Sequence, residues 1–330
     1  FAPSPQHLDV IKRDYQILRQ LNPWNFQLRF SVSPSNNVNN GADSPYNIID
    51  GVPLVGILGG SALALPGTTA NVDLSLSYRL RRTDQSETTL AGRLAIQRVW
   101  LGGDARTIAP NAQNSDFGST TGELALRHRI RPKGSNGIFS FGLALGQNWY
   151  GETRQYDFGR LDATYEHRIT SQSGVYVRTS VENRRAARAR LYDASLVTLK
   201  TGLSHSLSNG DNLGLHLAYS TNKTDFGNGR YTRKIGYISY SLAKPVGPVR
   251  LSFVAGASLL EYPAYRVGLI AVPGGRQDNS TFAVANMTFE KIGYAGFSPQ
   301  LSLRAAKTRS NVSRFDTTEF SVSVGIASNF

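Results

Sequence analysis

The sequence predicts an all-β protein, a transmembrane antiparallel up-and-down β-barrel of about fourteen strands preceded by a short N-terminal helix. Three observations lead to this prediction: apolar and polar residues alternate strictly, the alternating segments are long, and their connections are alternately long and short. Segments of about ten residues exceed the five or six usual in soluble proteins and match the length needed to cross a membrane.

Alternation is clearest in five segments, where a single strand presents one apolar and one polar face. In 72–81, Val72, Leu74 and Leu76 alternate with Asp73 and Ser75. The other four segments are 26–32, 213–220, 249–255 and 320–326. Noisier alternation occurs near 87–100, 118–130, 137–149, 156–169, 174–183, 192–206, 231–242, 279–290 and 297–306.

The connections predict the orientation of the barrel. The long ones are expected at 33–71, 101–117, 150–155, 184–191, 220–230, 260–278 and 307–317. The short ones, at 82–86, 131–136, 170–173, 207–212, 243–248 and 291–296, carry turn residues such as Asn209-Gly210-Asp211. Short turns are periplasmic in outer-membrane barrels, and an even strand number places both termini there too. The last strand, ending at Phe330, is where the barrel-assembly machinery is expected to engage the chain.

A helix is expected over His7–Leu21, where Leu8, Ile11, Tyr15 and Leu18 form an apolar stripe that Asn22-Pro23 ends. The chain is therefore divided into an N-terminal helix, 1–22, and a barrel, 23–330. A lone helix of this length is marginal in water. We expect it to dock at the periplasmic mouth or to continue a helical domain.

Composition argues against several functions. There is no cysteine, so thiolate metal sites and thiol catalysis are excluded. The net charge of +13 is spread along the chain without a nucleic-acid-binding motif, so no nucleic acid is expected. The five histidines have no spaced Ser or Asp partner that would indicate catalysis. We expect no enzymatic activity, no metal and no cofactor.

Ten arginines are predicted to line the lumen because they alternate with the apolar residues. They are Arg29, Arg79, Arg81, Arg93, Arg127, Arg129, Arg160, Arg178, Arg250 and Arg304. Two interpretations remain open: these residues form ion pairs between strands, or they make a basic pore. A second basic set is expected in the outer loops, where it could contact lipopolysaccharide phosphates. This set is Arg184, Arg185, Arg188, Arg190, Lys223 and Arg230.

Trp24 is followed by an alternating strand and by Pro34-Ser35-Asn36-Asn37-Val38-Asn39-Asn40. This stretch resembles the start of the barrel domain of surface lipoprotein assembly modulators. The helix 7–21 looks like the last helix of their periplasmic repeat domain, and 313–330 is similar to their final strand. The Asn-rich motif, Asn36, Asn37, Asn39 and Asn40, is the most specific part. The periplasmic repeats themselves are absent from the sequence.

The resemblance implies a barrel in the outer membrane that helps to translocate or display a lipoprotein or another secreted protein. The alternative is a passive porin that prefers anions. For translocation, the apolar stretch 52–65 could fold inward or flank the mouth, and the seam between 26–32 and 320–330 could accept a client strand.

Overall fold

The computed structural model describes residues 7, 10, 11, 13, 14, 18, 21–50, 52–188, 192–294 and 296–328, with the side chains of 52–55 excepted. It contains eighteen strands, fourteen of which form the barrel. The barrel strands are β1 (Trp24–Ser35), β4 (Gly67–Arg82), β5 (Ser86–Leu101), β6 (Ser119–Ile130), β7 (Gly137–Tyr150), β8 (Thr153–Arg168), β9 (Ser173–Ala186), β10 (Ala194–Ser206), β11 (Asn212–Lys223), β12 (Tyr231–Ser241), β13 (Arg250–Tyr262), β16 (Arg276–Thr288), β17 (Phe297–Ser310) and β18 (Thr317–Ser328).

The barrel is closed, and each strand pairs antiparallel with its neighbours in the sequence of barrel strands. Closure occurs between β1 and β18, where residues from Arg29 to Ser35 pair with residues from Ser321 to Ala327. The prediction of a closed antiparallel barrel of fourteen strands is confirmed.

The two faces of the wall follow from the register, because directly opposed residues share a face. Leu90, Leu126, Leu143, Leu161 and Val181 are successive partners across β5–β9, and all are exposed. Their sequence neighbours on the other face include Ala91, Ala125, Ala144, Arg160 and Glu182. The exposed apolar face is the lipid side, and the polar face surrounds the lumen.

The face predicted for Arg81 is wrong. The pairing of β4 with β5 shifts between Arg79 and Arg81, so Arg79 opposes Thr89 while Arg81 opposes Thr88. Thr88 is in turn bonded to His128 on the lipid-facing side. A β-bulge adds one residue to a strand and reverses the alternation beyond it, which strict parity does not anticipate.

Longer connections cluster at one end of the barrel, at 36–66, 102–118 and 263–275. The predicted long connection at 150–155 is instead a tight turn, in which Gly151 and Glu152 both have positive φ (56° and 61°). At the other end, 242–249 and 289–296 are longer than expected. The long–short difference therefore holds for most connections but not for all.

Ordered structure fills the longest connection. It contains the hairpin β2 (Tyr46–Ile49) and β3 (Val52–Ile57), and 263–275 contains the hairpin β14 (Arg266–Val267) and β15 (Ile270–Ala271). Ile49 packs on Val272 and Val312, which joins three connections. Val38 and Leu65 pack on the helix Gly103–Ile108. Short 3-10 turns occupy Gly60–Ala62, Asn114–Phe117, Gly227–Gly229, Glu290–Ile292 and Ser313–Phe315.

The helix predicted for 7–21 falls largely outside the described residues, as do Leu8 and Tyr15 of its stripe. The residues that are described there, including Ile11 and Leu18, have helical conformation and are exposed. Leu18 lines a cavity of about 970 Å³ together with Ser77, Arg79 and Arg127, whose side chains face the lumen. In the described part of the chain, no helix has the length and apolarity needed to cross a membrane.

Candidate functional site: the lumen wall

Arg160 is the centre of an ion-pair network on one side of the lumen. Its guanidinium lies 2.8 Å from Glu123, 3.0 Å from Asp162 and 3.5 Å from Glu182. These carboxylates sit on three strands, β6, β8 and β9, so a single arginine ties the strands together. The side chains of Glu123 and Glu182 are almost fully buried by the network.

Arg93 extends this network toward the seam. It donates to Asp73 at 2.5 Å, and Asp73 directly opposes Arg29 on β1. For Arg93 and Arg160, the structure supports the interpretation that lumen arginines form ion pairs between strands. Paired charges of this kind neutralise each other, so this part of the wall contributes little to ion selectivity.

Other lumen cations are not paired. Among the described residues, no carboxylate lies within ion-pair distance of Arg127, Arg129, Arg178 or Lys200. Arg178 and Lys200 oppose each other directly across β9 and β10, and both are exposed. Within the described part of the chain, the Arg178 side chain makes one hydrogen bond, from Nε to the Thr164 hydroxyl 3.1 Å away. Two adjacent like charges are unfavourable unless an anion or water lies between them.

Three further predicted lumen arginines have partners in the wall or in its connections. Arg79 donates to the carbonyl oxygens of Leu21 and Asn22 and so fixes the chain before β1. Arg304 pairs with Glu319 at 3.3 Å. Arg250 pairs with Glu290 at 2.6 Å and holds the pKa of that carboxyl, in the connection 289–296, below its usual value.

Half of the basic set expected in the outer loops lies in strands instead. The prediction that Arg184 lies in a loop is wrong, because Arg184 is in β9 and faces the lumen. Its guanidinium donates to Glu182 at 2.7 Å and lies over the ring of Tyr156. Arg185 is also in β9, on the lipid-facing side, and Lys223 ends β11. Arg188 and Arg230 are exposed in connections, where Arg230 donates to the Thr224 carbonyl. Arg190 lies outside the described residues.

The Asn-rich motif builds the first long connection. The Asn36 amide accepts from Phe320 N–H and donates to the Thr318 carbonyl, which extends the pairing between β1 and β18. Asn37 bonds both polar backbone groups of Gly41, while Asn39 bonds the backbone of Ser61, Leu63 and Leu65. Asn40 takes a positive φ of 55°. The local role of the motif is therefore structural.

Sequence reasoning missed a row of aromatic rings on the lumen face. Tyr176, His216, Tyr237 and Phe282 fall on one line of register partners across β9–β16. The sequence offered one signal for this row: Tyr176 lies two residues from Arg178 in β9, and residues two apart in a strand share a face. In the described part of the chain, no group of three His, Asp or Glu residues could hold a metal ion.

The fold is that of outer-membrane β-barrels. No family model and no curated protein matches the chain. Among solved structures, Pseudomonas putida OprB is similar over 97% of both chains, with a TM-score of 0.51 and 9% sequence identity. A BenF-like porin from Pseudomonas fluorescens Pf-5 covers 92% of this chain and 98% of its own, with a TM-score of 0.46 and 8% identity. At these identities the likeness to OprB concerns the fold alone.

Proposed function

We propose that this chain is an outer-membrane channel for small solutes with a preference for anions. The observation that carries the proposal is the opposed pair Arg178 and Lys200, exposed on the lumen face with no carboxylate partner among the described residues. Arg127 and Arg129 add two more unpaired cations on the same face. A wall with excess cations attracts anions and repels cations that enter the lumen.

The expected width of the lumen is consistent with small solutes. Eight-stranded barrels are filled by side chains, and barrels of sixteen to eighteen strands leave open aqueous channels. Fourteen strands lie between these limits. Loop residues cover the lumen face at one end: Arg276 pairs with the nearly buried Asp278, and its guanidinium lies over the rings of Tyr265 and Phe315 from two connections. We infer that this end, which carries the longer connections, faces the outside and that both termini are periplasmic.

The test is ion selectivity in a planar lipid bilayer. The purified full chain is placed between unequal concentrations of KCl, and the reversal potential is measured. Anion preference is expected for the native chain and should fall toward no preference in the double variant Arg178→Gln, Lys200→Gln. The matched control is Lys307→Gln, Arg309→Gln, because these two cations face the lipid side of β17 and lie outside the lumen. A cation-selective native chain, no conduction, or equal effects of both variants would refute the proposal.

Translocation of a partner protein is the second candidate, and the seam is the observation that favours it. The ladder between β1 and β18 has no pairing at Ser33 and Pro34, and side chains supply several of the bonds across this joint. Asn36 and Asp43 bond backbone groups of β18 near the longer connections, and the Ser328 hydroxyl bonds Leu28 N–H at the other end. An opened seam would offer two strand edges to a client by strand addition. The resemblance to surface lipoprotein assembly modulators supports the same proposal.

Locking the seam distinguishes the two candidates. Val32 and Val324 are direct partners across it, and the absence of native cysteine allows a selective disulfide in Val32→Cys, Val324→Cys. The control pair, Leu74→Cys, Leu94→Cys, locks β4 to β5. If the chain translocates a lipoprotein through the seam, only the first lock abolishes its surface display, and reduction restores it. Unchanged display with the seam locked would reject seam-mediated translocation and leave the channel proposal intact.

A further inference from the structure

The aromatic row in the lumen has glycines built into it. Along one line of register partners, Tyr176, Gly202, His216, Tyr237, Gly256 and Phe282 follow one another across six strands. A methyl group at Gly202 would lie 2.6 Å from the Tyr176 ring and 2.7 Å from His216 Nδ1. One at Gly256 would lie 2.8 Å from the Phe282 ring. The glycines therefore make room for the neighbouring rings to lie close to the wall.

The polar atoms of Tyr176 and His216 are already bonded within the wall. The Tyr176 hydroxyl lies 3.0 Å from His216 Nδ1, and His216 Nε2 lies 3.2 Å from the Ser239 hydroxyl. The His216 and Tyr237 rings stack with centroids 4.6 Å apart. Because these polar groups are satisfied, the half-buried rings present mainly carbon to the lumen. A band of aromatic carbon in the polar wall of a water-filled lumen favours contact with the apolar part of a solute.

The unpaired cations lie beside this band. Arg178 and Lys200 are each two residues along their strands from Tyr176 and Gly202, a distance of about 7 Å at the usual rise per residue. Their flexible side chains can cover that distance. Glu166 opposes Tyr176 on β8, so one carboxylate also adjoins the band, but the two cations outnumber it.

Resting on the channel function proposed above, we propose that this wall is a binding site for small ring carboxylates. The ring of the solute packs on the part of the band formed by Tyr176, His216 and Tyr237, and its carboxylate binds Arg178 and Lys200. Acyclic carboxylates lose the ring contact, and neutral rings lose the ion pair. The site thus selects solutes that carry both features and are small enough to pass a lumen of this width.

The proposal is tested by equilibrium binding to the purified full chain in detergent, measured by titration calorimetry. The probes are benzoate and glucuronate as ring carboxylates, acetate as an acyclic anion, and benzyl alcohol as a neutral ring. At least one ring carboxylate should bind about fivefold or more tightly than acetate and benzyl alcohol, since a ring contact is worth about 1 kcal/mol. Benzoate alone would assign aromatic acids, and glucuronate alone would assign uronates.

Variants separate the two halves of the site. Tyr176→Leu with Tyr237→Leu should remove the advantage of the ring carboxylate over acetate, while Arg178→Gln with Lys200→Gln should remove its advantage over benzyl alcohol. The control Phe320→Leu lies on the lipid face and should change neither. Binding of all four probes with equal affinity would overturn the site, even if the channel selects anions. Ring-carboxylate binding without anion-selective conduction would keep the site and reject the channel.

Discussion

Arg160 on β8 reaches across β7 to Glu123 on β6, and their charged atoms come within 2.8 Å. The crossing is possible because β7 presents small residues to the lumen at that level, Ala144 opposite Arg160 and Gly146 opposite Glu123. Ala144 is almost fully buried beneath the network. Small residues on one strand thus allow an ion pair between its two neighbours, which stiffens three strands at once.

Gly146 should be far less tolerant of substitution than Gly142 on the same face of β7. A methyl group at Gly146 would overlap the Phe158 ring and would lie 2.5 Å from the Gly122 carbonyl oxygen. At Gly142 the nearest atom is Asp162 Cβ at 3.5 Å, an ordinary contact. We expect Gly146→Ala to destabilise the barrel by about 1–3 kcal/mol through overpacking. Urea unfolding in detergent, followed on unheated gels, measures the difference, and equal midpoints for the two variants would contradict this packing.

The sequence predicted most of the fold because alternation has a period of two and the lipid face must be apolar. The strand number, closure and faces all followed from that rule. It failed at Arg81, where a bulge adds one residue, and at 150–155, where Gly151 and Glu152 form a tight turn. A bulge leaves no periodic signal, and a turn containing Glu at positive φ lacks the usual Asn-Gly signature.

The site was only partly predictable. Parity placed Arg127, Arg160 and Arg178 on one face, but it could not tell which of them have carboxylate partners. Pairing depends on register between strands that are not adjacent, as for Arg160 and Glu123, and on small residues between them. For the same reason, the row from Tyr176 to Phe282 is visible only once six strands are aligned.

Asp211 should link the connections 207–211 and 242–249, at the same end of the barrel, in a pH-dependent manner. Its carboxylate accepts from the Tyr240 hydroxyl, from Ala243 N–H at 2.9 Å and from the Asn209 amide at 2.8 Å. The Tyr240 bond, followed by the Ala243 bond, lowers the pKa of Asp211 below its ordinary 3.8. A depressed pKa in the folded state means that the stabilisation is present above the unfolded pKa and is lost as pH falls through the folded value.

The Ala243 amide resonance, measured by NMR in micelles, should therefore titrate with a midpoint below pH 3.8. In Asp211→Asn this titration should be absent. A midpoint above 3.8 in the native chain would contradict the bonding at this turn.

Lys307 and Arg309 should contact lipopolysaccharide. Both are exposed on the lipid side of β17, near the end with the longer connections. Phosphate groups are the expected anions at that level if this end faces outward, and arginine binds them in bidentate fashion. Added lipopolysaccharide should raise the melting temperature of the native chain and raise it less in Lys307→Gln, Arg309→Gln. Lys133→Gln, in a connection at the opposite end, is the control. An equal shift in all three proteins would exclude this contact.

Adjacent residues of β11 should respond in opposite ways to the same new charge. Leu217 faces lipid near the middle of the strand, and Ala218 faces the lumen directly opposite Lys200. A charge at the lipid midplane is costly, so Leu217→Glu should lose about 2 kcal/mol and fold incompletely in lipid vesicles. Ala218→Glu should fold fully, because its carboxylate gains Lys200 as a partner and offsets the repulsion between Lys200 and Arg178.

The Ala218→Glu variant should also weaken anion preference, since it neutralises part of the excess positive charge of the wall. Folding is scored by the heat-modifiable shift on gels and selectivity by the reversal potential. If both variants folded equally well, the assignment of faces in β11 would be wrong. If Ala218→Glu folded but left selectivity unchanged, Lys200 would have no part in ion discrimination.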